Sequence, residues 1–123
     1  MNGVILVVDD ERDLAVTCGR LLMRTGWQVT TVGSRGAALK ALMADAPPVL
    51  AIVDRQLPDG DGLDVVRAAR AQGTPVIVIS GHTSSANRDQ TLEEGAAGFL
   101  GKPFSARDFL DLVRSVAGDP PRR

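Results

Sequence analysis

Apolar residues along the chain follow two different periods. Short β-branched runs occur at residues 4–8, 29–32, 49–53 and 76–79, and a shorter run flanked by glycine occurs at residues 99–100. Between these runs the apolar positions recur with helical spacing. The pattern predicts five strands that alternate with five helices. Strands that are apolar almost without interruption are typical of a parallel sheet covered on both faces, so we expect an α/β fold.

The first and last helices carry the strongest signals. Ser105 lies three residues ahead of Asp108, which resembles a capping arrangement, and Gly118 before two prolines gives a stop. Gly26 ends the first helix in the same manner. One face of that helix is apolar, formed by Leu14, Cys18, Leu21 and Leu22.

The three middle helices, around residues 34–45, 63–72 and 85–94, have weaker apolar patterns. The segment 85–94 is polar and offers little apolar face to a sheet. We therefore expect that helix to be loosely held.

Polar residues follow four of the predicted strands at the point where each strand ends. Asp9 and Asp10 follow the first strand, Asp54 the third, Ser80 the fourth and Lys102 the fifth. In open α/β sheets, ligands bind beyond the carboxyl ends of the strands, where the winding reverses. Three carboxylates that meet there raise one another's pKa unless a cation lies among them. Mg²⁺ suits such a site, because it prefers oxygen ligands and often shares them with phosphate.

The remaining polar groups suit a phosphoryl group. The Lys102 ammonium supplies a point charge and the Ser80 hydroxyl supplies a hydrogen-bond donor. Asp54 is a carboxylate that can form an aspartyl phosphate. The strand ends therefore predict a site for Mg²⁺-dependent phosphoryl chemistry.

The motifs VVDDE, IVDRQLPDGDGL, VIVISG and GFLGKPF, in this order, resemble the signature of the response regulator receiver domain family. No single motif is specific, but five positions on four strands agree in residue type and order. The resemblance implies a flavodoxin-like (βα)5 fold, with a doubly wound, five-stranded parallel sheet of order 2-1-3-4-5. It also implies two helices on one face and three on the other. The implied function is that of a phosphoacceptor module in a two-component system or phosphorelay.

Carried over position by position, the resemblance makes Asp54 the phosphoacceptor. It also assigns four groups to the Mg²⁺ site. Asp10 is implied as a direct ligand, Asp9 as an acid that acts mainly through water, and the Asp54 carboxylate and the Gln56 backbone carbonyl as further ligands.

The same resemblance implies a switch. Lys102 pairs with the phosphoryl group, and the Ser80 hydroxyl moves to hydrogen-bond that group. Phe99 occupies the aromatic switch position. In the family the peptide bond that here joins Lys102 to Pro103 is cis.

The residues at two kinds of position modify what the resemblance implies for partner contacts and for the lifetime of the phosphoryl group. Phe99 stands where many relatives carry tyrosine, so a partner contact through a phenolic hydroxyl is not expected. Gln56 and His82 occupy positions that in this family flank the path of the attacking water, and we expect them to tune the lifetime of the phosphoryl group.

Composition bounds the partners. The chain has 123 residues and a formal net charge of −1, from 14 basic and 15 acidic side chains. This balance gives no basic surface for nucleic acid or a membrane, so we expect no direct contact with either. A single cysteine, Cys18, cannot form an internal disulfide, and the N-terminus lacks the features of a secretory signal, which favours the cytoplasm. We expect one receiver domain over residues 1–118, with residues 119–123 as a tail or the start of a linker.

The expected partners are a histidine kinase or a histidine phosphotransfer protein as phosphodonor, together with an output protein that the sequence does not identify. A phosphorylation-dependent dimer is a further route to output. The domain is not expected to be an enzyme beyond catalysing its own phosphorylation and dephosphorylation.

Two other functions stay open on the sequence. Asp59 and Asp61 in DGDGL resemble the two-aspartate motif of Mg²⁺-dependent phosphatases of the haloacid dehalogenase type. That motif should close a hydrophobic strand, whereas here Leu57, Pro58 and a turn intervene. The second is an adaptor that binds its partner without phosphorylation and is indifferent to Asp54→Asn.

Overall fold

Side chains of the central strands alternate between two apolar layers. The protein is described here by a computed structural model that covers residues 3–121, so the predicted bounds at residues 1 and 123 lie outside it. In the first strand, Leu6 and Val8 join one core cluster, whereas Ile5 and Val7 join the other. This is the two-residue period of a strand. Both sheet faces are buried, which explains why these strands are continuous apolar runs.

The order of elements is that predicted, with one small hairpin added. The strands are β1 (Val4–Val8), β2 (Gln28–Val32), β3 (Leu50–Asp54), β4 (Gln56–Leu57), β5 (Gly60–Asp61), β6 (Val76–Ser80) and β7 (Gly98–Gly101). The helices are α1 (Arg12–Arg24), α2 (Arg35–Leu42), α3 (Gly62–Ala71), α4 (Ser85–Glu93) and α5 (Ala106–Ala117).

Five strands form one parallel sheet in the order β2-β1-β3-β6-β7. The two-residue strands β4 and β5 pair with each other in a separate antiparallel hairpin. If only the five long strands are counted, the order is 2-1-3-4-5, which confirms the doubly wound, flavodoxin-like fold. The winding reverses between β1 and β3, so a crevice forms outside their carboxyl ends.

The helices divide between the two faces. Residues of α1 and α5, such as Cys18 and Phe109, fill one cluster, and residues of α2 and α3, such as Leu42 and Val66, fill the other. The α4 helix buries only Thr91.

The predicted helix ends are correct within a few residues. The Ser105 hydroxyl accepts a hydrogen bond from the Asp108 N–H, 3.0 Å, and Gly118 ends α5 with φ of +74°. The α2 helix stops at Leu42, earlier than the predicted residue 45. Two prolines at 47 and 48 follow, and the residue before a proline is disfavoured in a helix.

Within residues 3–121, none of the helices combines the length and the apolar character that crossing a membrane requires.

Candidate functional site

The last residue of β3, Asp54, places a carboxylate at the carboxyl end of the central strand. Asp54 is only 5% exposed. Its Oδ1 accepts a hydrogen bond from the Gln56 backbone N–H, 3.1 Å, and its Oδ2 accepts one from Lys102 Nζ, 2.9 Å. The two oxygens are therefore held by different groups, and the side chain has a fixed orientation.

The loop after Asp54 turns back closely onto the end of the strand. The Gly62 N–H donates to the Arg55 carbonyl oxygen, 2.8 Å. A Cβ atom at Gly62 would overlap the Asp54 carbonyl oxygen and crowd the Arg55 backbone. The second glycine of DGDGL thus permits the close approach that fixes the backbone of Asp54.

The Lys102 ammonium lies close to carboxylates at the ends of two strands. Its Nζ also donates to Glu11 Oε1, 3.0 Å, and lies 3.9 Å from Asp9 Oδ2. Asp9 is buried, and its Oδ1 accepts a hydrogen bond from the Glu11 N–H, 2.9 Å. Asp9, Glu11 and Asp54 each offer one oxygen, and these oxygens lie within 4.8 Å of one another.

Burial and the neighbouring charges affect the pKa of Asp9 and of Lys102. Burial raises the pKa of Asp9 to about 6, and the charge of Asp54 adds to the rise, while the Glu11 N–H and the Lys102 ammonium oppose it. Burial also acts to lower the pKa of Lys102, but its hydrogen bonds to Asp54 and Glu11 outweigh that effect and raise it. The cluster holds more negative charge than one lysine balances, and a cation would relieve it.

A cleft of about 320 Å³ opens beside this cluster. Exposed Asp10 lines it together with Glu11, Asp54, Gln56 and Lys102. Asp10 is outside the group of oxygens that lie within 4.8 Å, and Glu11 is inside it. The oxygen-only donors and the adjoining space fit a hard divalent cation such as Mg²⁺.

Ser80, the last residue of β6, is hydrogen-bonded to the backbone of His82. Its hydroxyl accepts a hydrogen bond from the His82 N–H, 3.0 Å, and donates to the His82 carbonyl oxygen, 3.3 Å. Gln56 Nε2 and His82 Nε2 lie 2.9 Å apart, so these two side chains meet.

The remaining predicted positions lie in β7 or directly after it. Phe99 is half-buried against the apolar layer under α2 and α3 and pairs in register with Val78. The Lys102–Pro103 peptide bond is cis.

A model of the response regulator receiver domain family matches residues 5–114. This match includes every residue of the cluster described above. The chain belongs to this family.

The receiver is also similar in sequence to curated response regulators. It is 38% identical over 114 residues to the transcriptional regulatory protein KdpE of Mycobacterium tuberculosis, which covers 92% of this chain and 50% of that protein. The receiver spans about half the length of the curated relatives it matches.

Solved structures show the same fold. The receiver domain of the Francisella response regulator 1452 gives a TM-score of 0.85 at 27% identity and covers 94% of this chain and 97% of that one. A response regulator of Burkholderia pseudomallei with a phosphorylated aspartic acid, calcium ion and citrate gives 0.81 at 28% identity, covering 93% and 68%. The chain is therefore a receiver domain of the kind found in the response regulators of two-component systems.

The two aspartates of the phosphatase-like motif are engaged elsewhere. Asp59 accepts hydrogen bonds from the N–H groups of Arg35 and Gly36, 2.7 and 2.9 Å, at the start of α2. Asp61 caps α3 by accepting from the Leu63 N–H, 3.0 Å. Both side chains stabilise helix starts in this receiver.

Sequence reasoning did not identify two polar residues near the site, Glu11 and Asn87, or the contact of Asn87 with Arg55. Glu11 follows the two strand-end aspartates directly in DDE, and that adjacency was the available signal. Arg55 and Asn87, which contact each other, are 32 residues apart, and no local pattern joins them.

Proposed function

We propose that Asp54 of this receiver accepts a phosphoryl group from the phosphohistidine of a histidine kinase or of a histidine phosphotransfer protein. The observation that carries the proposal is the buried carboxylate of Asp54 beside an open cleft, bonded on Oδ2 to Lys102 and flanked by the carboxylates of Asp9 and Glu11. The phosphorylated aspartic acid named for the Burkholderia relative supports the same chemistry.

The transfer is a displacement at phosphorus. An oxygen of the Asp54 carboxylate forms the new P–O bond while the P–N bond to the donor imidazole breaks, and the electron pair of that bond returns to the imidazole nitrogen. Lys102, already 2.9 Å from Asp54 Oδ2, pairs with the oxygens of the incoming group. The chain contributes mainly position and charge, as is general for phosphoryl transfer.

Five groups would hold the divalent cation, taken to be Mg²⁺. Asp9, Asp10, Asp54 and the Gln56 backbone carbonyl are the proposed ligands, and Glu11 joins them through its place in the cluster. When bound, Mg²⁺ supplies positive charge that offsets the carboxylates and the phosphoryl oxygens.

Phosphorylation then biases a two-state equilibrium. The Ser80 hydroxyl leaves the His82 backbone to donate to the phosphoryl group, and Phe99 shifts with it, which reshapes the surface around β7 and the last two helices. The meeting side chains of Gln56 and His82 border the cleft and are proposed to set how long the phosphoryl group lasts.

The wider context is also part of the proposal. The receiver occupies residues 1–118 and residues 119–123 form a tail or the start of a linker. It acts in the cytoplasm and catalyses only the gain and loss of its own phosphoryl group. Its output is a contact with another protein or with a second phosphorylated copy, without direct binding to nucleic acid or a membrane.

A small donor with a P–N bond tests the proposal. Phosphoramidate and Mg²⁺ are incubated with the wild type, with Asp54→Asn, and with Asp59→Asn as a control carboxylate outside the cluster. Intact mass should show one phosphoryl adduct on the wild type and on the control, and none on Asp54→Asn. An adduct on Asp54→Asn would contradict the assignment, and no adduct on any protein would favour the phosphorylation-independent adaptor.

A further inference from the structure

The α4 helix is attached to the receiver largely by polar contacts. Of its residues only Thr91 is buried, and Leu92, its largest apolar side chain, is 39% exposed. A helix with so little buried apolar surface depends on its hydrogen bonds for its position. Those bonds converge on one side chain from the loop after β3.

That side chain is Arg55, the residue that follows Asp54. Its Nε donates to Asp61 Oδ1, 2.8 Å, which fixes the guanidinium against the β4–β5 hairpin. Its other nitrogens donate to three α4 side chains, Gln90 Oε1 at 3.1 Å, Thr91 Oγ1 at 3.2 Å and Asn87 Oδ1. The Arg55 side chain is only 13% exposed and its bonds to Asn87 and Thr91 are part-buried, so water competes little for these two bonds.

Arg55 also determines which way the Asn87 amide faces. A guanidinium has only donors, so the amide oxygen of Asn87 must point toward Arg55. The amide nitrogen then points to the other side, where Nδ2 donates to the His82 carbonyl oxygen and to Ser80 Oγ, the latter at 3.4 Å. A donor therefore faces the switch residue.

The Ser80 hydroxyl is thereby fully occupied. It accepts from the His82 N–H and from Asn87 Nδ2, and it donates to the His82 carbonyl oxygen. To donate to a group on Asp54, the hydroxyl must give up its bond to the His82 carbonyl oxygen, and a movement of Oγ toward Asp54 also takes it away from the His82 N–H and Asn87 Nδ2. Because Asn87 lies in α4, that movement removes one contact at the start of the helix.

We propose that Asn87, oriented by Arg55, is a positioning residue that holds Ser80 on the His82 backbone and so couples phosphorylation of Asp54 to the first turn of α4. The coupling rests on Asp54 accepting the phosphoryl group, as proposed above. In the unphosphorylated protein, the Arg55–Asn87 pair favours the inactive position of the hydroxyl. Loss of the Asn87 donor makes it easier for Ser80 to move.

Two substitutions remove the donor in different ways. Asn87→Asp keeps an oxygen for Arg55 but offers no N–H to Ser80 or to the His82 carbonyl oxygen, and Asn87→Ala removes all three contacts without adding a charge. Gln90→Ala is the matched control, because it removes one bond from Arg55 to α4 and leaves the Asn87–Ser80 contact in place.

The first measurement is calorimetric binding of beryllium trifluoride, an anion that mimics a phosphoryl group on a carboxylate, in the presence of Mg²⁺. Both Asn87 variants should bind it about 2- to 10-fold more tightly than the wild type, the equivalent of one net hydrogen bond. Gln90→Ala should bind it as the wild type does. Equal or weaker binding by both Asn87 variants would overturn the proposal.

The Ser80→Ala background separates positioning from a general effect on structure or charge. If Asn87 acts through the hydroxyl, its substitutions should no longer change the affinity once that hydroxyl is absent. The same tightening in both backgrounds would show that Asn87 does not act through Ser80.

A second measurement does not depend on phosphorylation. The His82 amide donates to Ser80 Oγ, so its hydrogen exchange, followed by NMR without Mg²⁺ or beryllium trifluoride, should be several-fold faster in Asn87→Ala than in Gln90→Ala. If the wild type fails to bind beryllium trifluoride, the proposed function fails, and this exchange rate alone then decides. Unchanged exchange would overturn the role of Asn87.

Discussion

Replacing Asp9 by asparagine should stabilise the ion-free receiver at neutral pH. Burial raises the pKa of Asp9 from 3.8 to about 6, so the ionised side chain opposes folding when no cation is present. About two pKa units at about 1.4 kcal/mol each give an unfavourable contribution of about 3 kcal/mol. Asparagine removes this charge and keeps an oxygen that can accept the Glu11 N–H.

The pKa of about 6 already includes the opposing attraction to Lys102, whose Nζ lies 3.9 Å from Asp9 Oδ2, so that attraction is not subtracted a second time. We therefore expect a net increase in the free energy of unfolding of about 1–3 kcal/mol at pH 7.5. The size of this increase in the free energy of unfolding depends on pH. Because the folded-state pKa is raised, the penalty is absent below the unfolded value of 3.8, grows as the pH rises, and is complete above about 6.

Urea unfolding in EDTA at pH 7.5 and at pH 4 measures the effect. Asp9→Asn should be more stable than the wild type at pH 7.5 and nearly equal to it at pH 4. Asp10→Asn, a neighbouring exposed position, should change the free energy of unfolding by less than about 0.5 kcal/mol. An Asp9→Asn protein that is no more stable at pH 7.5, or whose gain is the same at both pH values, would refute the reasoning.

Three further substitutions or modifications test the cluster and the fold. Lys102→Met leaves the carboxylates without their ammonium and should lower the free energy of unfolding by about 2 kcal/mol in EDTA at pH 7.5, with part recovered on adding Mg²⁺, as followed by urea unfolding. Gly62→Ala should cost about 1–3 kcal/mol because its Cβ overlaps the backbone at Asp54, whereas Gly81→Ala, which has open space, should leave the thermal midpoint nearly unchanged. Burial raises the pKa of Cys18 to about 11, so at pH 8 a disulfide reagent should label the folded receiver at least about 100-fold more slowly than the urea-unfolded chain; equal rates would show that the thiol is accessible.

The layered fold was predictable because successive side chains of a strand face opposite sides of the sheet, which is a pattern within a few neighbouring residues. Residues such as Ile52 and Val53 are buried on opposite faces, and a continuous apolar run is the direct consequence. Helix ends were predictable where a cap was local, as at Ser105. The order of the strands depends on contacts between distant segments, which the apolar pattern does not specify, and only the resemblance to a family implied it.

The site was predictable to the extent that it consists of strand ends. Asp9, Asp54 and Lys102 each follow an apolar run, and parallel strands bring those ends to one edge. The amide of Asn87 was not predictable, because its role depends on where α4 lies against Arg55. The polar sequence of α4 predicts a loosely held helix, and this stays a prediction; the structure adds that part-buried hydrogen bonds from Arg55 to Asn87 and Thr91 attach the helix.

Locating the phosphoryl group on the chain tests the central claim most directly. The receiver is incubated with acetyl phosphate and Mg²⁺, the acyl phosphate is reduced with borohydride, and the peptides are sequenced by mass spectrometry. Reduction converts an aspartyl phosphate to homoserine, and we predict homoserine at residue 54 alone, absent when EDTA replaces Mg²⁺. Homoserine at Asp9, Asp10 or Asp59, with none at residue 54, would contradict the account.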